Sequence, residues 1–202
     1  MRTFGARTIQ RQRRRGGLGA SAGVTLLELL TVLVIVGIVA AFGLPRLDYS
    51  RFRADAAARI VRGTLQQAQR NAIQRQHNIV VSVDVAGNRI RTVDDTNNDS
   101  RVDAGERVVW RPLEEGARFA TPATTLAGAT TTTAVVGPNV RAVDGMPTIV
   151  FHSNGSASTD VEIYLTTART AATDFRAVQV TQSTGRVEWF RNNSAGWRRD
   201  GV

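Results

Sequence analysis

Residues 94–106 are the part of this 202-residue chain in which oxygen-bearing side chains recur at metal-ligand spacing. With Asp95 as the first position, such side chains stand at the first, third, fifth, ninth and twelfth positions. These residues are Asp95, Asn97, Asp99, Asp103 and Glu106. The seventh position is Arg101, whose backbone carbonyl completes the ligand set. Hard oxygen ligands at these intervals wrap a loop around Ca²⁺, so the spacing predicts a calcium site.

Three features qualify the calcium prediction. Ser100 stands at the sixth position, where a calcium loop normally has Gly, so a sharp turn there costs some strain. Val102, at the eighth position, is expected to pin the loop to the core. The flanking residues alternate as strands do, which places the loop in a sheet rather than between two helices. The alternative interpretation is an Asp/Asn turn that caps a hairpin.

The C-terminal tail interleaves four arginines with three aromatic residues. They are Arg186, Arg191, Arg198 and Arg199, with Trp189, Phe190 and Trp197. Guanidinium groups bind phosphates and aromatic rings stack on bases, so this composition is a candidate DNA-binding surface. The alternative is a closing strand whose aromatic side chains pack and whose arginines are solvated.

Nothing in the chain has the spacing of a catalytic group. The two histidines, His77 and His152, belong to no Ser/His/Asp or His-x-x-x-His arrangement, and no Gly-rich phosphate loop is present. The chain has no cysteine, which excludes disulfides and thiolate metal sites. We therefore expect a protein that is not an enzyme.

Glu28 is the only charged residue between Val24 and Leu44. An apolar run of about 20 residues matches the hydrocarbon thickness of a bilayer, so residues 24–45 are predicted to span a membrane. A carboxylate costs about 2.5–3.5 kcal/mol at the centre of such a span and less near its end, which makes Glu28 a functional candidate. Either it reaches the headgroups, or it meets a positive charge from another chain.

Residues 1–23 contain six of the 26 basic residues and no acidic one. Clustered arginines hold the adjoining end of a span in the cytoplasm, so residues 78–202 are expected on the periplasmic side of the inner membrane. The small residues 19–23 precede the apolar run instead of following it, which disfavours a removable secretory signal. Because this segment supplies most of the excess charge, the net charge of +9 does not indicate nucleic acid.

The segment 23–29, Gly-Val-Thr-Leu-Leu-Glu-Leu, resembles the processing site of type IV pilins and type II secretion pseudopilins. The resemblance implies that a prepilin peptidase removes residues 1–23 as a leader by cutting after Gly23, and that the new amine of Val24 is methylated. Glu28 then falls at the fifth mature position, and Pro45 at the twenty-second, where a proline is common in this class. The sequence departs from the pattern of this class in two respects. Val24 stands where Phe is usual, and the leader is longer than the shortest leaders of the class.

The resemblance also implies an assembly partner for Glu28. In a filament of stacked helices, its carboxylate would pair with the amine of Val24 in a neighbouring pilin or pseudopilin. Either charge is costly alone in an apolar medium, and the pair would set the register of the subunits.

Residues 46–77 are predicted to continue the same helix, with a kink at Pro45 and an end near residues 75–78. An apolar stripe recurs at helical spacing. It consists of Ala57, Val61, Leu65, Ala68 and Ala72. The opposite face is charged and is expected to be solvated. It carries Arg51, Arg53, Asp55, Arg59, Arg62, Arg70 and Arg75.

Residues 78–202 are predicted to form a β-rich domain, because the apolar period changes to two. The predicted strands are residues 79–85, 89–93, 107–110, 148–151, 161–165, 177–181 and 186–190. The Thr- and Ala-rich residues 120–136 are expected to form an exposed loop with one β edge. The fold class is therefore α+β, with an amphipathic helix on a two-layer antiparallel sheet domain, as in pilins.

The C-terminal part of the chain resembles the GspH/FimT family of minor pseudopilins and pilins. The resemblance is in a strand that ends at Phe151, a turn at Asn154 and Gly155, and two further strands that close with residues 185–187. The resemblance implies a minor pseudopilin of a type II secretion system, at or near the pseudopilus tip. The alternative is a type IV minor pilin that takes up DNA through a Gly-Arg-x-Arg motif, in which Glu188 here replaces the second Arg. A third interpretation is a membrane-anchored periplasmic domain with no filament role.

Overall fold

The computed structural model describes residues 25–43, 49–113, 116–193 and 195–199. Gly23, Val24 and Pro45 lie outside these residues, and so do the predicted cleavage site and the predicted helix kink. The chain divides into two units between Leu47 and Asp48.

The first unit contains helix α1, Leu26–Gly43. Thr25 caps it, because its Oγ1 accepts a hydrogen bond from the backbone N–H of Glu28 at 3.2 Å. Among the described residues, no helix combines the length and the hydropathy needed to cross a membrane.

The second unit begins with helix α2, Tyr49–Arg75. The five residues of the predicted apolar stripe are all buried, which confirms the prediction. Ala54 and Ala58 extend the buried face. Five of its apolar members are alanines, so the helix backbone can approach the strands beneath it closely.

In the described part of the chain eleven strands follow α2, and their pairings there are all antiparallel. They are β1 (Asn78–Asp84), β2 (Arg89–Asp95), β3 (Val108–Pro112), β4 (Ala117–Phe119), β5 (Val135–Val136), β6 (Arg141–Val143), β7 (Met146–Phe151), β8 (Val161–Thr167), β9 (Arg176–Val180), β10 (Val187–Asn192) and β11 (Trp197–Arg199). One sheet has the order β3-β2-β1-β7-β6. The other has the order β11-β10-β9-β8-β4, with β5 also paired to β8.

The main core lies between α2 and the inner faces of both sheets. Val61 and Leu65 of the helix are in the same buried cluster as Ile79 and Val81 of the first sheet and Ile163 of the second. A single helix that packs on two antiparallel sheets is a pilin-like α+β arrangement, which confirms the predicted fold class.

The seven predicted strands correspond to β1, β2, β3, β7, β8, β9 and β10. The sequence did not predict β4, β6 and β11, each only three residues long and so too short to display an alternating pattern. β5 supplies the β edge that was predicted at the end of the Thr- and Ala-rich loop.

One residue assigned to the solvated face of the helix is buried. Asp55 is 8% exposed, and its Oδ1 accepts a hydrogen bond at 2.5 Å from Nε of Arg176, which is fully buried. The prediction was wrong here because the helical period shows which face a residue occupies but not which cation another element brings to it.

Gln69 joins α2 to two glycine turns. Its Nε2 donates to the backbone oxygens of Gly155 at 2.9 Å and Thr184 at 2.8 Å. Gly185 has a φ of +61°, and a Cβ there would overlap the backbone oxygen of Gly155. The turn between β9 and β10 therefore requires glycine for both conformation and space.

Replacing Gly185 by Ala should lower the free energy of unfolding by about 3 kcal/mol, because an overlap with backbone is added to the left-handed strain. The control is Gly128→Ala, at a φ of +82° with no atom within 4 Å of the new Cβ. It should cost only about 1 kcal/mol. Urea unfolding of both variants measures the difference, and equal losses would contradict the steric argument.

Candidate functional sites

Glu28 lies in the first turn of α1, three positions after its cap. The Thr25-x-x-Glu28 spacing is that of a capping box, and a carboxylate in the first turn also interacts favourably with the helix dipole. Glu28 therefore has a local role at the start of the helix in addition to its predicted role in assembly. The Thr-x-x-Glu pattern is the signal in the sequence that identifies this cap.

The acidic loop, residues 94–106, contains all the predicted calcium ligands and connects β2 to β3. The two carboxylate oxygens of Asp95 accept hydrogen bonds from the backbone N–H groups of Asp99 at 3.1 Å and Ser100 at 2.8 Å. Those of Glu106 accept from Thr96 at 3.1 Å and Asp103 at 3.0 Å. The loop is thus closed by hydrogen bonds between carboxylates and its own backbone.

Further bonds extend this pattern to the remaining predicted ligands. Asp99 Oδ1 accepts the backbone N–H of Arg101 at 2.8 Å, and Nδ2 of Asn97 donates to Asp103 Oδ2 at 2.8 Å. In the part of the chain that the structure describes, no group of three or more His, Cys, Asp or Glu side chains is placed to hold a metal ion. An Asp/Asn turn accounts for the described conformation by itself.

Two details expected of the acidic loop are present. Ser100 has a φ of +62°, the strained conformation that the absence of Gly at this position predicted. Val102 packs on the outer face of the first sheet against the buried cluster of Val80, Val93 and Val150. The loop is therefore anchored to the sheet by an apolar contact.

Three of the four arginines of the C-terminal tail have carboxylate partners. Arg186 and Arg199 both form ion pairs with Glu188, the first at 2.6 Å. Arg191 donates to Asp55 at 2.9 Å. Arg198 is exposed. Three of the four predicted phosphate ligands are thus paired with acidic residues, two of them with the residue that replaces Arg in the Gly-Arg-x-Arg motif.

Two of the tail's aromatic residues are engaged in packing. Trp189 is buried in the core between α2 and the sheets. Trp197 contacts Tyr164 with a centroid distance of 5.5 Å, and its Nε1 donates to the backbone oxygen of Thr124 at 3.2 Å. Burial, reinforced by a hydrogen bond to Glu162, raises the pKa of the Tyr164 hydroxyl. This arrangement favours the interpretation of a packed closing strand.

Asp55 is the residue that sequence reasoning missed, and it holds two arginines at once. Arg176 Nε and Arg191 Nη2 bind opposite oxygens of its carboxylate. Burial lowers the pKa of the Arg176 guanidinium, while Asp55 opposes that shift. The Nη1 of Arg176 also donates to the backbone oxygens of Thr173 and Phe175, both at 2.8 Å. The partners are more than 100 positions apart, so no local pattern could have identified them.

The two histidines both contact Asn78, the first residue of β1. Nδ1 of His77 lies 3.0 Å from the backbone oxygen of Asn78, and Nδ1 of His152 lies 3.2 Å from its side-chain oxygen. Both contacts connect the start of β1 to adjoining segments, which is a structural role.

Comparison with known proteins identifies similar chains. The family model described as GspH, type II transport protein GspH, matches residues 57–185. The pilin-like protein PilA1 of Thermus thermophilus is 38% identical over 86 residues, which are 42% of this chain. The chain spans about half of that relative, 54% of its length.

Two solved structures are similar in outline. The minor pseudopilin EpsH from the type 2 secretion system of Vibrio cholerae has a TM-score of 0.47 at 16% identity, over 71% of this chain and 96% of the other. The type IV minor pilin FimU of Pseudomonas aeruginosa has a TM-score of 0.41 at 14% identity, over 73% and 94%.

Replacing Glu188 by Gln should expose the charges of Arg186 and Arg199 and create salt-sensitive binding to single-stranded DNA. Two added phosphate contacts should steepen the dependence of log K on log salt by about 1.4. The matched control is Asp144→Asn, which also removes one negative charge but frees only the buried Arg91. Gel shifts of the full chain over a salt series measure both. Equal DNA binding by the parent chain and Glu188→Gln would contradict this neutralisation.

Proposed function

We propose that this chain, which belongs to the GspH family of type II transport proteins, is a minor pseudopilin of a type II secretion system. The family consists of pilin-like structural subunits associated with the cell envelope. The observation that carries the proposal is Glu28, the only charge in an apolar run, in the capped first turn of α1. The proposed position is at or near the pseudopilus tip.

The proposed maturation begins with hydrolysis of the peptide bond between Gly23 and Val24. A prepilin peptidase at the inner membrane would release residues 1–23 with a new carboxylate, and the new amine of Val24 would then be methylated. The spacing from Gly23 to Glu28 supports this step. The amine would be created one residue before the Thr25 cap, close to the first turn of α1.

The proposed assembly step pairs Glu28 of one subunit with the amine of Val24 in its neighbour. In an apolar filament core each charge would be costly alone, so the pair favours one axial register. Before assembly, residues 24–45 would lie in the inner membrane with the N-terminus in the cytoplasm. The arginines that precede the apolar run support this orientation.

The alternative is a type IV minor pilin that binds DNA during uptake. The ion pairs of Arg186 and Arg199 with Glu188, and of Arg191 with Asp55, weaken this alternative because the groups that would bind phosphate are already engaged by carboxylates. We therefore place the secretion role first.

Substituting Glu28 by Gln should abolish incorporation into filaments, because Gln has no charge to pair with the amine of Val24. Gln was chosen since it preserves the capping geometry of the helix. The control is Thr25→Ala, which removes the cap hydrogen bond at a cost of about 1 kcal/mol in helix stability but leaves the carboxylate. This variant should still be incorporated. The fraction of subunit recovered in sheared filaments measures both. Normal incorporation of Glu28→Gln would disprove the ion pair.

We further propose that the acidic loop binds Ca²⁺ once its carboxylates exchange backbone N–H groups for the cation. Asp95, Asp99, Asp103 and Glu106 place four carboxylates in one short loop, which supports a divalent ligand. No other step of the proposed function depends on this site.

At a Ca²⁺ concentration about 100 times Kd, the midpoint of thermal unfolding should rise by about 5–10 °C relative to chelator. The combined variant Asp99→Asn with Glu106→Gln should lose this shift, and the control Asp144→Asn should keep it. Circular dichroism of the detergent-solubilised full chain follows the transition. An unchanged midpoint in Ca²⁺ would leave the loop as a hydrogen-bonded turn.

A further inference from the structure

Strand β3 is an edge of the first sheet, and no described residue pairs with its outer backbone edge. Two hydrogen bonds show which residues of β3 direct their backbone groups toward β2. They run from Asp94 N–H to the backbone oxygen of Arg107 and from Leu113 N–H to the backbone oxygen of Asn88. Because antiparallel pairs alternate, Val109 and Arg111 face β2 with their backbone groups. The backbone groups of Val108 and Trp110 therefore point away from the sheet.

The side chains of β3 are exposed on both faces. Val108, Val109 and Trp110 are each about 40% exposed, and all five residues of the strand belong to the exposed class. On the outer face, the guanidinium of Arg89 lies 4.0 Å from the centroid of the Trp110 ring, which holds the indole in place. The edge thus combines unpaired backbone with apolar surface, as sites of strand addition do.

The inner face of β3 borders a groove of about 230 Å³ against α2. Arg75, Arg107 and Arg111 line it, with Val109 between the last two. Arg75 is paired with Asp94, and Nη1 of Arg111 lies 3.5 Å from the hydroxyl of Thr64. Within the described ranges, neither Arg107 nor Arg111 has a carboxylate partner. The groove therefore carries two positive charges that no described carboxylate pairs with, beside the open edge.

We propose that β3 is the docking edge for an extended, acidic segment of another protein, which adds to the first sheet as a sixth strand. Side chains alternate along a strand, so acidic residues at every second position would enter the groove and meet Arg107 and Arg111. The intervening apolar residues would cover Val108 and Trp110. This docking edge is independent of Glu28 and of filament membership.

Charge complementarity identifies the occupant. A basic segment would place like charge against the two guanidinium groups, and a neutral segment would desolvate them without a partner. The alternative is that Arg107, Arg111 and Pro112 protect the edge from association. Pro112 has no N–H, so it shortens the available ladder at one end without closing it.

The test uses the detergent-solubilised full chain and three fluorescent seven-residue peptides. One alternates Val and Glu, one alternates Val and Lys, and one is the acidic peptide with N-methyl groups on alternate amides. The acidic peptide should bind at least tenfold more tightly than either of the others. Its binding should protect the backbone N–H groups of Val108 and Trp110 from hydrogen exchange.

The variant carrying Arg107→Gln and Arg111→Gln should bind the acidic peptide at least tenfold more weakly. The matched control carries Arg59→Gln and Arg70→Gln, the same charge change on the exposed face of α2, and should bind as the parent does. The proposal is overturned if the acidic peptide does not bind, or if the basic or N-methylated peptide binds equally well. It is also overturned if the Arg107→Gln and Arg111→Gln changes leave the affinity for the acidic peptide unchanged. The chain could also associate with itself, and the Arg107→Gln and Arg111→Gln changes could abolish that association. This result would assign the edge to a second copy of the chain and would also overturn the proposal.

Discussion

The contact between the alanine-rich face of α2 and the two sheets is the constraint on which the globular unit depends. Ala57, Ala68 and Ala72 have no atoms beyond Cβ, so the helix lies close enough to both sheets for Leu65 to fill the space between them. That approach also lets Gln69 reach the carbonyls of the turns. The close packing of one helix therefore sets the relative position of the two sheets and of the turns that join their strands.

Charge compensation across this framework decides which basic residues are available for binding. Asp55 forms ion pairs with Arg191 and with the fully buried Arg176, and Glu188 forms ion pairs with two arginines of the tail. An ion pair of this kind removes the attraction for an outside phosphate, and losing one partner of a buried pair is costly. Arg107 and Arg111, which line the groove beside β3, have no carboxylate partner among the described residues.

The outer face of the first sheet illustrates how one strand pair can present two different surfaces. The acidic loop turns back over the sheet, where Val102 contacts Val80 and Val93 and covers them. β3 follows directly and has no such cover, since its five residues are exposed. One surface is therefore negative and closed by its own hydrogen bonds, and the next presents the apolar side chains of Val108 and Trp110 beside an open backbone edge.

The sequence by itself determined the elements whose pattern repeats: the buried stripe of α2, seven strands, and the ligand spacing of the acidic loop. A repeating pattern can be recognised in the sequence because each helical turn or strand pleat returns a side chain to the same face of the element. Only the tertiary structure decided that Asp55 is buried, that Glu188 pairs with two arginines of the tail, and that β3 is an edge strand. Ion pairs between residues far apart in the chain, and the order of strands in a sheet, depend on packing between elements, which leaves no periodic trace in the residues concerned.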